Sequence, residues 1–366
     1  VTNGKASEAA ETGAGAVRAG AREAGAAEAE ARMRVIRLLF GGMAVQTVRA
    51  AQRLRVVELL GDKERPAAEV AAEAGTQVQG MTRLLRALAG LGLVHETAPG
   101  TFVVTPEGAL LDPGHPDSMA DLAALFADPT MLRAWEGLDD AVRTGETVFG
   151  SVFGTDFFSY LKARPERSAQ FNRAMSQSTR GAADVLPERY DFGRFRTVAD
   201  IGGGNGTLLS AVLRAHRNLT GLVYDTEEGL AQAPATLERH GLAGRCSLVA
   251  GDFFRSVPEG ADLYLMKSII HDWPDDRCVT LLGHCRAALP PGGRVLIVEP
   301  VLPETVDPQG PGVTYLGDLN MLVNVGGRER TRAEFEELCG RAGLSVLSVT
   351  PLGAPSSFSV VEAGAA

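Results

Sequence analysis

The chain lacks long apolar runs: nothing in its 366 residues approaches the ~20 apolar residues of a membrane span. No secretory leader pattern opens it. Cysteine is scarce. The four present, Cys246, Cys278, Cys285 and Cys339, form no C-x-x-C pair. Three lie in apolar patterns, so reduced thiols in a cytoplasmic protein are expected. The six histidines are dispersed without ligand spacing, so no metal is expected. Positive charge is in deficit, with Lys+Arg 36 against Asp+Glu 45 and a formal net charge of −9. The pI of about 5.3 argues against a nucleic-acid partner. What remains is an ordinary globular composition, 45% apolar, on a chain long enough for two domains and a sizeable core. No internal repeat is evident.

The most informative stretch is Asp200-Ile201-Gly202-Gly203-Gly204-Asn205-Gly206-Thr207. It follows an apolar strand, Thr197 to Ala199, and opens an apolar helix, Leu208 to Leu213. A strand, a glycine turn and a helix bring backbone close to a ligand. The dinucleotide pattern G-x-G-x-x-G/A fails, because counting from Gly202 its last position is Thr207. No Gly-Lys-Ser/Thr follows, so a phosphate loop is excluded. The pattern present, acid-x-G-x-G-x-G, suits a nucleoside ligand without a pyrophosphate, and S-adenosylmethionine is the commonest such ligand. Taken alone, the turn reads equally well as a tight connection.

The strands that follow favour a ligand. Leu222 to Asp225 ends in an acid, 19 residues after Gly206. That spacing suits a carboxylate meeting ribose hydroxyls at a strand's carboxyl end. A helix cap is the alternative role, since Thr226-Glu227-Glu228 follows. Cys246 to Ala250 is a third strand, ending in Gly251-Asp252-Phe253-Phe254. Asp252 could accept from an adenine amine and Phe253 stack on the ring, or the pair could be a turn cap and core. Ala261 to Met266 and Arg294 to Val298 read as buried strands. Together they predict an α/β, doubly wound, mostly parallel sheet with its ligand at the carboxyl edge.

Catalytic candidates gather on the same edge. The strand ending at Met266 runs into Lys267-Ser268-Ile269-Ile270-His271-Asp272-Trp273-Pro274. The next ends in Glu299-Pro300, and Glu329 follows Gly326-Gly327. Histidine is the natural general base near neutrality, and glutamates beside its other nitrogen would orient the ring. A phenol, with a pKa of roughly 10, needs such a base as its oxygen attacks. A sulfonium methyl is already activated, so alignment and removal of one proton suffice.

On these motifs the chain resembles the small-molecule O-methyltransferases that use S-adenosylmethionine, the family of plant phenolic enzymes and of actinomycete enzymes that tailor antibiotics. The resemblance runs from about Arg34 to the C-terminus. It is carried by Asp-Ile-Gly-Gly-Gly-Asn-Gly, Gly-Asp-Phe-Phe, Lys-Ser-Ile-Ile-His-Asp-Trp and Gly-Gly-Arg-Glu-Arg-Thr. It implies a Rossmann-like class I methyltransferase domain with a seven-stranded sheet, and a mainly α, winged-helix-like dimerisation domain. Gly202 would approach the methionine end of the cofactor, with Gly204 beside it. Asp225 would hold the ribose, Asp252 and Phe253 the adenine, and Lys267 would contact the cofactor. His271 would be the base, with Glu299 and Glu329 flanking it and S-adenosylhomocysteine as the product. The family's Asp-Leu-Pro is Asp225-Thr226-Glu227 here, a departure that touches loop shape.

The first 33 residues, rich in Ala, Gly and Glu, cannot offset their ordering entropy by burial and are expected to be a disordered tail. Residues 34–113 read as helices plus the hairpin Val94 to Val104, a shape that also suggests DNA binding. Arg83 and Arg86 are too thin an electrostatic footprint for that, and by resemblance the module forms a homodimer, which its apolar 34–60 segment fits. Residues 114–190 should be helical and line the acceptor pocket. Trp135 belongs to a helical stripe there, and Phe153, Phe157, Phe158, Tyr160, Phe171 and Met175 concentrate groups that suit a flat ring. By resemblance Phe171 and Met175 grip that ring and Asn324 bonds to the acceptor. Residues 191–366 form the cofactor-binding domain. The expected activity is methylation of a phenolic hydroxyl on an aromatic, polyketide-type molecule. A relative that has drifted to hydroxylation or decarboxylation is the alternative.

Overall fold

In this computed structural model, residues 25–308 and 312–366 are described. Contacts divide the chain after Ala109 into two units, rather than after residue 113. Residues 114–190 belong to the second unit instead of standing apart.

The first unit opens with a helix over 25–39. Residues 25–33, expected to be unfolded, are therefore helical; residues 1–24 lie outside the described residues. Few large side chains prevent burial, but Ala and Glu still favour helix, and Arg32 pairs with Glu28 one turn away. Helices Gly41–Arg53, Val56–Leu60, Ala67–Glu73 and Val78–Gly90 follow. The expected single segment from 34 to 60 is broken at Arg55, whose φ of 56° is left-handed. The break turns Val56 and Leu60 into the core with Met81, Leu85 and Leu88. A small sheet, β1 (Arg65–Pro66), β2 (Val94–Ala98) and β3 (Thr101–Val104), has the order β1-β3-β2.

The second unit begins with helices that end in the long Pro165–Arg189. Its sheet is built from β4 (Thr197–Ile201), β5 (Thr220–Asp225), β6 (Cys246–Ala250), β7 (Leu263–Lys267) and β8 (Arg294–Glu299). Two short strands, β9 (Val301–Leu302) and β10 (Arg330–Thr331), pair separately. An antiparallel pair, β11 (Leu344–Pro351) and β12 (Ser359–Ala365), closes the large sheet in the order β11-β12-β8-β7-β4-β5-β6. The five strands from β4 to β8 are mutually parallel. Alternate residues face two cores: Val198, Val223, Leu265 and Leu296 on one side, Ala199, Tyr224, Tyr264 and Ile297 on the other. The chain runs outward from β4 to β6, then returns to place β7 on the other flank of β4. The order reverses there, and a crevice opens at the carboxyl ends of β4 and β7.

Candidate active site

At the end of β4, Gly202, Gly204 and Gly206 adopt left-handed φ values of 69°, 54° and 75°, a region only glycine enters cheaply. A side chain at Gly202 would overlap Ile269, whereas one at Gly204 would meet only open space. Asp225, at the end of β5, accepts the Gly204 N–H at 2.9 Å and the Thr226 N–H at 2.7 Å. Its oxygens keep lone pairs for further donors. Burial raises Asp225 despite those bonds. Asp200 is 2% exposed, one of its oxygens has no partner, and burial with the neighbouring charge of Asp225 lifts it to about 7. Two poorly compensated acids under a glycine turn disfavour a phosphate. They suit a nucleoside that brings hydroxyls and positive charge, so the donor set fits S-adenosylmethionine.

Asp252 and Phe253 follow β6. Asp252 is exposed and one oxygen caps the Phe254 N–H at 2.9 Å. Phe253 packs edge-on against Phe254, and its ring would lie 3.7 Å from a Cβ at Gly202. Lys267 closes β7 with its ammonium 4.6 Å over the Phe358 ring. Burial lowers it to about 8, against the pull of the Glu299, Asp272, Asp200 and Glu329 charges.

His271 sits in the 3₁₀ turn Ile270–Asp272. Its Nδ1 lies 2.8 Å from Glu329 Oε1, and Glu329 is only 4% exposed. Its Nε2 lies 3.6 Å from Asp272 Oδ1. Burial would depress the imidazole, but the Asp272 charge and the Glu329 hydrogen bond outweigh it and raise the ring to about 9. Burial in turn pushes Asp272 up to about 7, against the His271 charge.

Glu299 also holds the backbone of the turn, while its charge favours the imidazolium. Its Oε1 accepts the backbone N–H groups of Ile269, Ile270 and His271 at 3.0, 2.6 and 3.2 Å. Ending β8 beside β7 puts the fully buried carboxylate under the turn. The other side of the turn is held by Arg330, also fully buried, which donates to the Ile270 and Trp273 carbonyls at 3.1 Å each and to Asp275 at 2.7 Å. Gly327 explains how Glu329 reaches Nδ1. A side chain there would overlap the His271 carbonyl and the Asp272–Trp273 peptide, so only glycine lets this loop press on the turn. Asp318 accepts the Glu329 N–H at 2.8 Å and fixes the loop further.

The expected acceptor residues share one cluster. Phe171 packs edge-on to Phe157, and Phe158 stacks on Trp273 at 5.0 Å, which carries the aromatic wall to the His271 turn. Met175 and Trp135 pack against the same core. Asn324 lies on a π-helical turn, Met321–Val325, the kind of bulge frequent at functional sites. Its Nδ2 donates to Asn320 Oδ1 at 2.9 Å, and Trp135 Nε1 donates to the same oxygen at 3.2 Å.

Sequence reasoning gave no role to Asp272, Trp273, Asp318, Asn320 or Arg330. The Asp beside His271 was a usable signal. The others depend on loops meeting in space. Among the described residues no group of three His, Cys, Asp or Glu could hold a metal.

The chain matches an O-methyltransferase domain over residues 135–345 and an O-methyltransferase dimerisation domain over residues 36–111. It is 44% identical over 336 residues to O-demethylpuromycin-O-methyltransferase of Streptomyces alboniger, covering 91% of this chain and 89% of that protein. The crystal structure of LaPhzM superposes with a TM-score of 0.85 at 38% identity, over 92% of this chain and 99% of that one. NcsB1, an O-methyltransferase from neocarzinostatin biosynthesis solved with S-adenosylmethionine and 2-hydroxy-5-methyl naphthoic acid, gives a TM-score of 0.74 at 33% identity, over 88% and 96%. The chain belongs to the O-methyltransferase family.

Proposed function

We propose that this protein methylates a phenolic hydroxyl of an aromatic secondary metabolite, with His271 as general base. The observation that carries the reading is the Glu329–His271 pair at the sheet's carboxyl edge, 2.8 Å apart, two residues from the Trp273 ring on which Phe158 stacks. The methyl donor is S-adenosylmethionine, which supplies an electrophilic methyl group when bound. Gly202 and Gly204 line it, Asp225 receives its ribose hydroxyls, Asp252 and Phe253 face its adenine, and Lys267 meets it from the end of β7.

Glu329 holds the Nδ1 proton, so the neutral ring presents an Nε2 lone pair to the acceptor. His271 takes the hydroxyl proton at Nε2, and the Glu329 carboxylate stabilises the imidazolium that forms. An imidazole raised to about 9 is nearly matched to a phenol of pKa roughly 10, so the transfer is only mildly uphill. Phe158, Phe171, Met175 and Trp135 hold the acceptor ring, and Asn324 bonds to it.

The N-terminal helices support a homodimer. Leu38, Leu39, Phe40 and Met43 are 80, 73, 57 and 63% exposed, an apolar stripe that a second copy would bury. Among the described residues no helix is long and apolar enough to cross a membrane.

The test is a methyl-label assay with the intact protein against a panel of hydroxylated aromatics. Label recovered on an acceptor oxygen supports the reading. Hydroxylated or decarboxylated products without label would replace it with the drifted activity.

A further inference from the structure

The helix Pro165–Arg189, which carries Phe171 and Met175, is tied down on two sides. On one side Arg173 Nε donates to Asp121 at 3.0 Å, and Gln177 accepts the Leu122 N–H at 2.9 Å. Both partners lie on the helix Ala120–Phe126. On the other side the ties lead to the cofactor edge. Asn172 Nδ2 donates to the Glu228 carbonyl at 3.0 Å, and Gln232 Nε2 donates to the Ala169 carbonyl at 3.3 Å. A carbonyl can only accept, so both amides must turn their NH₂ groups to these bonds.

Glu228 belongs to the one-turn helix Glu227–Leu230 that follows Asp225. That turn lies directly against the expected ribose acid, because a side chain at Gly229 would overlap the Asp225 carboxylate. Asp225 also accepts the Thr226 N–H at 2.7 Å, and Thr226 Oγ1 accepts the Gly229 N–H at 3.1 Å. Leu230 anchors the turn in the core with Ala182, Ala183 and Leu186. Four residues without a proline have little helical rigidity of their own. Contacts hold this turn, the carboxylate on one side and Asn172 on the other. A nucleoside that donates its hydroxyls to Asp225 fixes the carboxylate, and the turn against it loses freedom. Residues 171, 172 and 175 fall within little more than one helical turn, so what restrains Asn172 restrains Phe171 and Met175.

We propose that Asn172, assisted by Gln232, is a positioning residue: it ties the acceptor-gripping helix to the ribose turn, so that cofactor bound at Asp225 sets Phe171 and Met175 in place for the acceptor. Its effect passes through the Glu228 carbonyl rather than through contact with either ligand. This role rests on the cofactor and acceptor sites of the proposed function, but not on methyl transfer.

Hydrogen–deuterium exchange of the intact protein, with and without saturating S-adenosylhomocysteine, tests it with no acceptor present. Binding should slow exchange at the glycine turn, residues 202–206, and also along residues 169–176, the latter by about 2- to 10-fold. In Asn172→Ala the ligand still binds and still protects the glycine turn, but most of the added protection along 169–176 is lost. A residue needed only for helix stability would speed exchange equally with and without ligand and leave the difference unchanged. Gln232→Ala should lose part of the same difference, and it decides alone if the first variant does not fold. A native helix indifferent to the ligand, or full ligand-dependent protection in the variants, overturns the proposal. Linked protection without label transfer to any phenol keeps the tie and removes the methylation reading. Label transfer without linked protection does the reverse.

Discussion

Exchanging Glu329 for Gln keeps an oxygen within reach of His271 Nδ1 but removes the charge. In the native site the 2.8 Å bond joins a carboxylate that is 4% exposed to a largely buried ring. A hydrogen bond to a charged group contributes about 1.5–3 kcal/mol, against about 1 kcal/mol for a neutral one. The variant therefore loses about 0.5–2 kcal/mol of imidazolium stabilisation, a ~2- to 30-fold fall in turnover. Rotation of the amide would enlarge that fall, because its NH₂ would then donate to Nδ1, move the ring proton to Nε2 and block the base. The pH dependence is a second signature. The base works deprotonated, so kcat/KM rises with pH toward the imidazole's value of about 9. Removing an anion that favours the imidazolium lowers that value, and the rising limb moves toward acid. Initial rates of label transfer from about pH 6 to about pH 10, both enzymes saturated with cofactor, would show it. An unchanged rate with an unmoved limb, or a limb moved toward alkali, would refute the role given to Glu329.

Three further substitutions separate positioning from binding. Gly327→Ala puts a methyl group into the His271 backbone, and displacing the base by about 1 Å lowers turnover ~10²-fold; native-like rates would show that the loop yields freely. Glu299→Ala leaves three N–H groups of the turn without their acceptor, at a cost of at least ~2 kcal/mol. A melting curve should fall by several degrees, and an unmoved Tm would mean water replaces the carboxylate. Asp225→Ala should weaken S-adenosylmethionine binding ~10-fold or more by calorimetry, and wild-type affinity would remove that residue from the site.

Much of this architecture is written locally in the chain. Strands β4 to β8 are short apolar runs that end at or just before Gly, Asp, Lys or Glu, and in a parallel sheet those ends converge whatever the loops do. That is why Gly202, Asp225, Lys267 and His271 could be placed on one edge from sequence. The backbone-holding role of Glu299 could not be read, because whether a carboxylate at a strand end also reaches a backbone turn depends on register. The β7–β8 register puts Lys267 beside Val298, so Glu299 falls under the turn. Arg330 and Asn320 were invisible for a related reason. Their partners lie 55 and 185 residues away in sequence, and no periodicity marks such pairs. The helix over residues 25–33 is not legible from composition, because a stretch that cannot build a core can still form a helix.

The account rests on an imidazole at position 271 taking the acceptor's proton while the glycine turn and Asp225 hold the methyl donor independently. Measuring single-turnover methyl transfer and S-adenosylmethionine affinity together for His271→Ala tests this most directly. The account predicts transfer slowed ~10²-fold or more with cofactor affinity nearly intact. Transfer at the native rate would contradict it.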